Sequence, residues 1–112
     1  MAVINYHSGR FDVSAYVIVS YDIRDPKAFE GYVPGVLPLL EKHGAEIVVA
    51  DFDAKPVEGE KHGVYVVLRF KSEDDALAWY NDPAYKPVRE IRLTSCDNNH
   101  AVLAKGFVLP NA

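Results

Sequence analysis

Cysteine is almost missing. The 112-residue chain has one, Cys96, so no disulfide can close within it, and a lone thiol suits a reducing compartment. No histidine stands at a nucleophile-motif spacing from it, so Cys96 reads as a small, partly buried hydrophobe. Basic runs are also missing. The formal net charge is −4, whereas nucleic-acid binding rewards clustered Lys and Arg, so no nucleic-acid partner is expected. No apolar run approaches the roughly 20 residues of a membrane span. The opening stretch MAVINYHSGRFDVS lacks a charged segment followed by an apolar one, so it does not read as a signal peptide. Together these absences predict a cytoplasmic protein with no membrane association.

Catalytic signatures are scarce too. There is no GxSxG, no GxxxxGK[ST] and no GxGxxG, which removes the usual serine-hydrolase elbow, the P-loop and the Rossmann fingerprint. The histidines at 7, 43, 62 and 100 show neither HxH nor HxxxH spacing. Neither a metal site nor a cofactor is expected.

What remains is ordinary globular composition: 49% hydrophobic and 25% charged. A chain this long buries roughly 65% of its unfolded surface, enough for one core. Residues 15–23, AYVIVSYDI, are rich in Val, Ile and Tyr and predict a strand. Asp25-Pro26 follows as an N-cap and a first-turn proline. Phe29, Tyr32, Val33, Val36, Leu37 and Leu40 then recur at helical spacing. Pro34 and Pro38 predict a kink or split near residues 33–35, eased by Gly31 and Gly35. Gly44 ends the helix as a left-handed cap. Residues 46–52 and 64–70 predict strands two and three, with a turn-rich loop over 53–63. Ser72 caps a second helix that carries Asp74 and Asp75 in its first turn. Asn81-Asp82-Pro83 stops it, and Asp82 caps a restart through Tyr85, Val88, Ile91 and Arg92. SCDNNH (95–100) reads as a turn of Asp and Asn, or as part of a pocket mouth, before a last strand at 101–108.

The order β-α-β-β-α-β is the ferredoxin-like α+β pattern, with an antiparallel four-stranded sheet and both helices on one face. Residues 1–14 form an N-terminal extension, 15–108 the domain and 109–112 a tail. Alternation places Tyr16, Ile18 and Ser20 opposite Val17, Val19 and Tyr21. It places Tyr65, Val67 and Arg69 opposite Val64, Val66, Leu68 and Phe70, and Ile47 and Val49 opposite Val48, Ala50 and Phe52. The helices cover only one of these faces. The other stays apolar, which predicts a homodimer packed sheet to sheet. The rival cover is the N-terminal extension folded back over the sheet.

The stretches AYVIVSYDIRDPKAFEGYV, GAEIVVADF, PVEG and VLRFKSEDDALAWYNDPAYKPVREIR resemble an uncharacterised bacterial family, domain of unknown function thirteen-thirty. The resemblance runs from about Ala15 to Phe107. Its most specific block holds Phe70, Ser72, Trp79-Tyr80, Asp82-Pro83, Tyr85 and Arg92. It implies a dimeric α/β barrel of two ferredoxin-like subunits and supplies no reaction. The wider superfamily it is similar to includes cofactor-free monooxygenases, haem-degrading enzymes, muconolactone isomerases and stress-response proteins. Family members often carry an arginine in strand two where this chain has Ala50, which implies a different ligand here.

The candidate ligand-binding residues are Tyr32, Tyr85 and Arg92. Arginine's planar fork suits a carboxylate or enolate, and Tyr32, Tyr85 and Trp79 offer apolar walls with polar tips. The competing reading pairs Arg92 with a carboxylate such as Asp22 and leaves the tyrosines as packing. Asp22 or Asp51 with Tyr32 is a candidate proton shuttle. His43 at a helix end is either a dipole-favoured cap or a second catalytic candidate. The expected function is binding or conversion of a small organic molecule, anionic or neutral, without metal or nucleotide. The alternatives are a non-enzymatic stress-related or regulatory dimer, and a cofactor-independent monooxygenase or isomerase.

Overall fold

The computed structural model describes residues 13–109. The expected extension over 1–14, apart from its last two residues, and its folding back across the sheet lie outside the described residues. So does the tail beyond Leu109. Strands β1 (Ala15–Ile23), β2 (Glu46–Asp51), β3 (Val64–Phe70) and β4 (Cys96–Lys105) form one antiparallel sheet in the order β2-β3-β1-β4. Helices α1 (Pro26–Phe29), α2 (Tyr32–Lys42), α3 (Glu73–Tyr80) and α4 (Tyr85–Ser95) complete the β-α-β-β-α-β plan. The fold is α+β and ferredoxin-like, with each of its two helices divided in two.

Local chemistry explains most of the boundaries. The Asp25 side chain accepts the Ala28 N–H at 3.1 Å, and Ser72 Oγ accepts the Asp75 N–H at 3.1 Å. Each satisfies an N–H that a helix start leaves free. Gly44 has φ +71° and closes α2 in the left-handed region. The first helix does split, but at Glu30–Gly31 rather than at 33–35. The reason is that Pro34 falls in the first turn of α2, where its missing N–H costs nothing. Pro38 alone lies inside the helix.

Two further expectations are corrected. Residues 96–100 are not a turn: β4 begins at Cys96, with Asp97 paired to Asp22 and His100 to Ser20. Pairing overrides the turn propensity of Asp and Asn, which surfaces only as a register shift between Ser20 and Asp22 and as φ +55° at Asn98. The strand accordingly ends at Lys105, not at 108. In β2 the register shifts between Ile47 and Val49, so simple alternation fails there. Ile47 pairs with Leu68 and Ala50 with Val66 on the helix side, while Val49 pairs with Val67 on the other.

The core lies between the helices and the sheet face of Val17, Val19, Tyr21, Val64, Leu68 and Phe70. The second face carries Tyr16, Ile18, Val67, Val49 and Val102. Ile18, Val49 and Val102 are 37–47% open to solvent with their apolar neighbours on β2, so this face is apolar and uncovered in the described chain.

Candidate functional site

Helices α2 and α4 meet at glycine. A Cβ on Gly35 would stand 3.2 Å from both Val88 methyls, and one on Gly31 would stand 3.4 Å from Ile91 Cδ1. Glycine here removes the side chain that would hold the helices apart. The close approach brings Tyr32, first in α2, to Tyr85, first in α4. Their hydroxyls are 2.8 Å apart in a buried hydrogen bond. Arg92 follows Tyr85 by two helical turns and lies on the same side. Its guanidinium carbon is 5.6 Å from the Tyr21 ring centre and 5.8 Å from that of Tyr32, within cation–π range.

The structure therefore brings together all three residues singled out for ligand binding. Trp79 joins them, its ring centre 4.5 Å from that of Tyr85. Arg92 is 2% exposed. Among the described residues it has no carboxylate partner, and the expected pairing with Asp22 is not made. Arg92 Nη1 instead donates to Asn99 Oδ1 at 2.9 Å, and Asn99 is fixed by its amide donating to the Cys96 carbonyl at 2.9 Å. Burial works against the Arg92 charge, yet the neighbouring Tyr32 and Tyr85 phenols outweigh it and raise its pKa. Burial drives the Tyr32 and Tyr21 phenols well above their ordinary range. At neutral pH both hydroxyls keep their protons and Arg92 keeps its charge. Two buried donors, Arg92 Nε and Trp79 Nε1, have no acceptor among the described residues.

A cavity of about 80 Å³ opens between α2 and the sheet. Tyr21, Tyr32 and Trp79 form its buried end, and Val33, Leu37, Ile47 and Phe52 its solvent-exposed rim. Tyr85 and Arg92 stand behind that end and do not line the space. A groove of about 210 Å³ beside α3 is larger, but neither unpartnered donor belongs to its lining.

The other candidates lie elsewhere. His43 Nε2 and Lys42 Nζ both contact Asp82 Oδ2, at 2.8 and 2.9 Å, while Ala84 N donates to Oδ1 at 2.9 Å. These bonds, His43's first, hold the Asp82 carboxyl well below the usual carboxylate range. The trio braces the end of α2 against the corner before α4; the N-cap of α4 is Ala84, not the expected Asp82, because Asp82's carboxylate closes the turn that precedes the helix. Asp22 is held by Asn98, His62 and Gly63, and Asp51 sits on the uncovered sheet face. Neither reaches Tyr32, so no Asp–Tyr32 shuttle is assembled. Cys96 is 3% exposed, and burial pushes its thiol up. Sequence reasoning named Asn99 only within the SCDNNH run, as turn or pocket mouth, and missed its bond to Arg92 and the role of His62. Both act across separate chain segments, and neither leaves a local signal. No group of three or more His, Cys, Asp or Glu among the described residues is placed to hold a metal ion. No described helix is long and apolar enough to cross a membrane.

Similar proteins share the architecture. A protein of unknown function from Rhodopseudomonas palustris superposes with a TM-score of 0.72 at 14% identity, covering 88% of this chain and 87% of that one. A dimeric ferredoxin-like protein of unknown function from Bacteroides fragilis gives 0.58 at 15%, covering 82% and 95%. A cofactor-independent oxygenase from Streptomyces nogalater gives 0.53 at 14%, covering 90% and 98%. At these identities the likeness concerns the fold. No curated protein matches the chain. A family match does extend over residues 14–107, nearly the whole described domain, and on it the chain belongs to the family described as Domain of unknown function (DUF1330).

Proposed function

We propose that this protein is a cytoplasmic homodimer that binds a small, largely apolar organic molecule in the cavity under α2, with an electron-rich end turned toward Tyr32 and Trp79. One observation carries this reading. The cavity is apolar, but it ends at Trp79, whose buried indole N–H lacks an acceptor among the described residues, and behind that end stands an Arg92 charge with no carboxylate partner among them. A buried donor without a partner costs about 1–3 kcal/mol, and a ligand oxygen would recover that. An anionic or enolic oxygen gains further from Arg92. The occupied end is small. A cavity of about 150 Å³ holds benzene, so a ligand larger than a few heavy atoms extends to the rim of Val33, Leu37, Ile47 and Phe52.

The homodimer is proposed on the uncovered apolar sheet face, and the dimeric Bacteroides fragilis relative is consistent with it. Binding without conversion is the primary reading, because the cavity lining offers only phenols and an indole as polar groups. Conversion without a cofactor is the second. It is favoured by Tyr32, a protonated phenol able to donate to a developing oxyanion. The stated function of the Streptomyces nogalater relative belongs to this second class.

The test uses the single tryptophan. Trp79 emission is followed while benzoate, phenol, 4-hydroxybenzoate and cyclohexanol are titrated. Saturable change, stronger for the anions than for cyclohexanol, is expected. A flat response to all four up to their solubility limit overturns the cavity reading. Product analysis of any binder then separates binding from conversion.

A further inference from the structure

A second constellation lies away from that cavity, where the end of β1, the loop before β3 and the start of β4 converge. Asp22 Oδ1 accepts the Gly63 N–H at 2.7 Å. Asp22 Oδ2 accepts the Asn98 amide at 2.9 Å and contacts His62 Nδ1 at 3.1 Å. We propose that Asp22 and His62 form a carboxylate–imidazole pair in which Asp22 positions the ring and His62 Nε2 serves as a general base toward a small neutral carbonyl compound.

The tautomer follows from the geometry. Asp22 already receives two N–H donors, which favour its ionised form, and its pKa is lowered to about 2, by Asn98 first and then by His62 and Gly63. An ionised carboxylate only accepts, so Nδ1 carries the proton toward Asp22. In the neutral ring the lone pair is then on Nε2. Holding an imidazole in one tautomer through a carboxylate is how a positioned base is prepared. The pair is reachable, with 28% and 34% of the His62 and Asp22 side chains exposed.

The surroundings limit the substrate. Register places Asp51, Tyr65, Ser20 and His100 in one row across all four strands at the end of the outer sheet face, beyond the Ile18–Val67 pair at the centre of the proposed dimer contact. The Tyr65 ring centre is 6.2 Å from that of His62, and its phenol is the donor this proposal assigns to the carbonyl oxygen. Of the nearby cations, Arg24 is tied to Asp97 and to the Thr94 carbonyl, and Lys61, next to His62 in the chain, to Asp53. With two carboxylates and no free cation among these residues, an anionic substrate is disfavoured. The other carboxylate–imidazole contact, His43–Asp82, shares its oxygen with Lys42 and serves the brace between helices.

p-Nitrophenyl acetate is a suitable neutral probe. His62 Nε2 takes a proton from a water molecule as the water oxygen bonds to the acetyl carbon. The C–O bond to p-nitrophenolate breaks, the phenolate leaves with the electron pair, and the imidazolium returns its proton to solvent. His62→Asn is the decisive variant, because its amide nitrogen can replace Nδ1–H toward Asp22 while no group replaces Nε2. Release of p-nitrophenolate is expected to fall at least about tenfold, a modest part of what a positioned base supplies, with the melting temperature unchanged. Long-range ¹H–¹⁵N spectra of the wild-type protein are expected to show His62 as the Nδ1–H tautomer. Equal rates for wild type and His62→Asn overturn the proposal, and so does the Nε2–H tautomer. If His62→Asn unfolds, the tautomer measurement on wild type still decides.

Discussion

The hydroxyls of Tyr32 and Tyr85 bond to each other at 2.8 Å, 53 residues apart in sequence and fully inside the protein. Each phenol is the other's hydrogen-bond partner, and this predicts strong coupling. Tyr32→Phe or Tyr85→Phe alone takes from one buried hydroxyl its phenolic partner, at a cost of about 1–3 kcal/mol. Replacing both removes both ends of the bond. The double variant is therefore expected to lose at least about 1 kcal/mol less than the sum of the singles, measured by urea unfolding in a double-mutant cycle. Additive losses would mean that the bond contributes nothing.

Arg92 offers a sharper separation of stability from binding. Alanine would leave a void where a buried side chain stood, so methionine is the informative replacement. Arg92→Met removes a buried charge that has no carboxylate partner among the described residues and keeps most of the volume. Its melting temperature is expected to stay within about 4 °C of wild type, the shift that roughly 1 kcal/mol gives in a domain of this size. The Trp79 response to benzoate should weaken at least about tenfold, while that to cyclohexanol persists. A large fall in melting temperature with unchanged benzoate binding would make Arg92 structural.

Much of this architecture is written locally, and the residues show why the rest is not. Asp25, Ser72 and Gly44 act within a turn of their own position, so their roles can be read directly. β1 and β3 alternate without interruption, and their limits match the pattern. β2 fails at Val48 because one extra residue shifts the side chains after it to the other face, and no composition signal marks the shift. Asp97, Asn98 and Asn99 have turn chemistry but are drawn into pairing by β1, a long-range effect. Tyr85 and Arg92 were legible as a pair because they share one side of α4, and Tyr32 because it lies on the inner stripe of α2. Their depth was not, since burial of Arg92 depends on Asn99 and Tyr21 from other strands.

Acid should reveal the Asp22 network. Asp22 has a folded-state pKa near 2 against an ordinary 3.8. A depressed carboxylate pKa stabilises the fold above the ordinary value, and that contribution is lost as pH falls from about 4 toward 2. Asp22→Ala is therefore expected to unfold at lower urea concentration than wild type at pH 7, with the gap closing across that window. Asp82→Ala should behave in the same sense, because His43, Lys42 and Ala84 hold its carboxyl low as well. A gap that stays constant from pH 7 to pH 2.5 would show that the ionised carboxylate is not what these bonds stabilise.

The uncovered sheet face gives the prediction with the widest reach. Ile18 and Val67 are cross-strand partners at the middle of that face. A two-fold contact between such faces would bury both residues and their copies, on the scale of roughly 800 Å² per partner for a standard interface. Ile18→Glu with Val67→Glu places four carboxylates in that contact, where desolvation and like charge oppose association. Neither position belongs to the core between helices and sheet, so the subunit itself should keep its circular dichroism. Native mass spectrometry is expected to find wild type at twice the 12.5 kDa chain mass and the double variant at the chain mass. A wild-type monomer at micromolar concentration overturns the dimer reading. Deletion of residues 1–12 then tests the rival cover: if that segment lies over the face, its removal should expose Ile18 and Val67 and raise the binding of a hydrophobic dye.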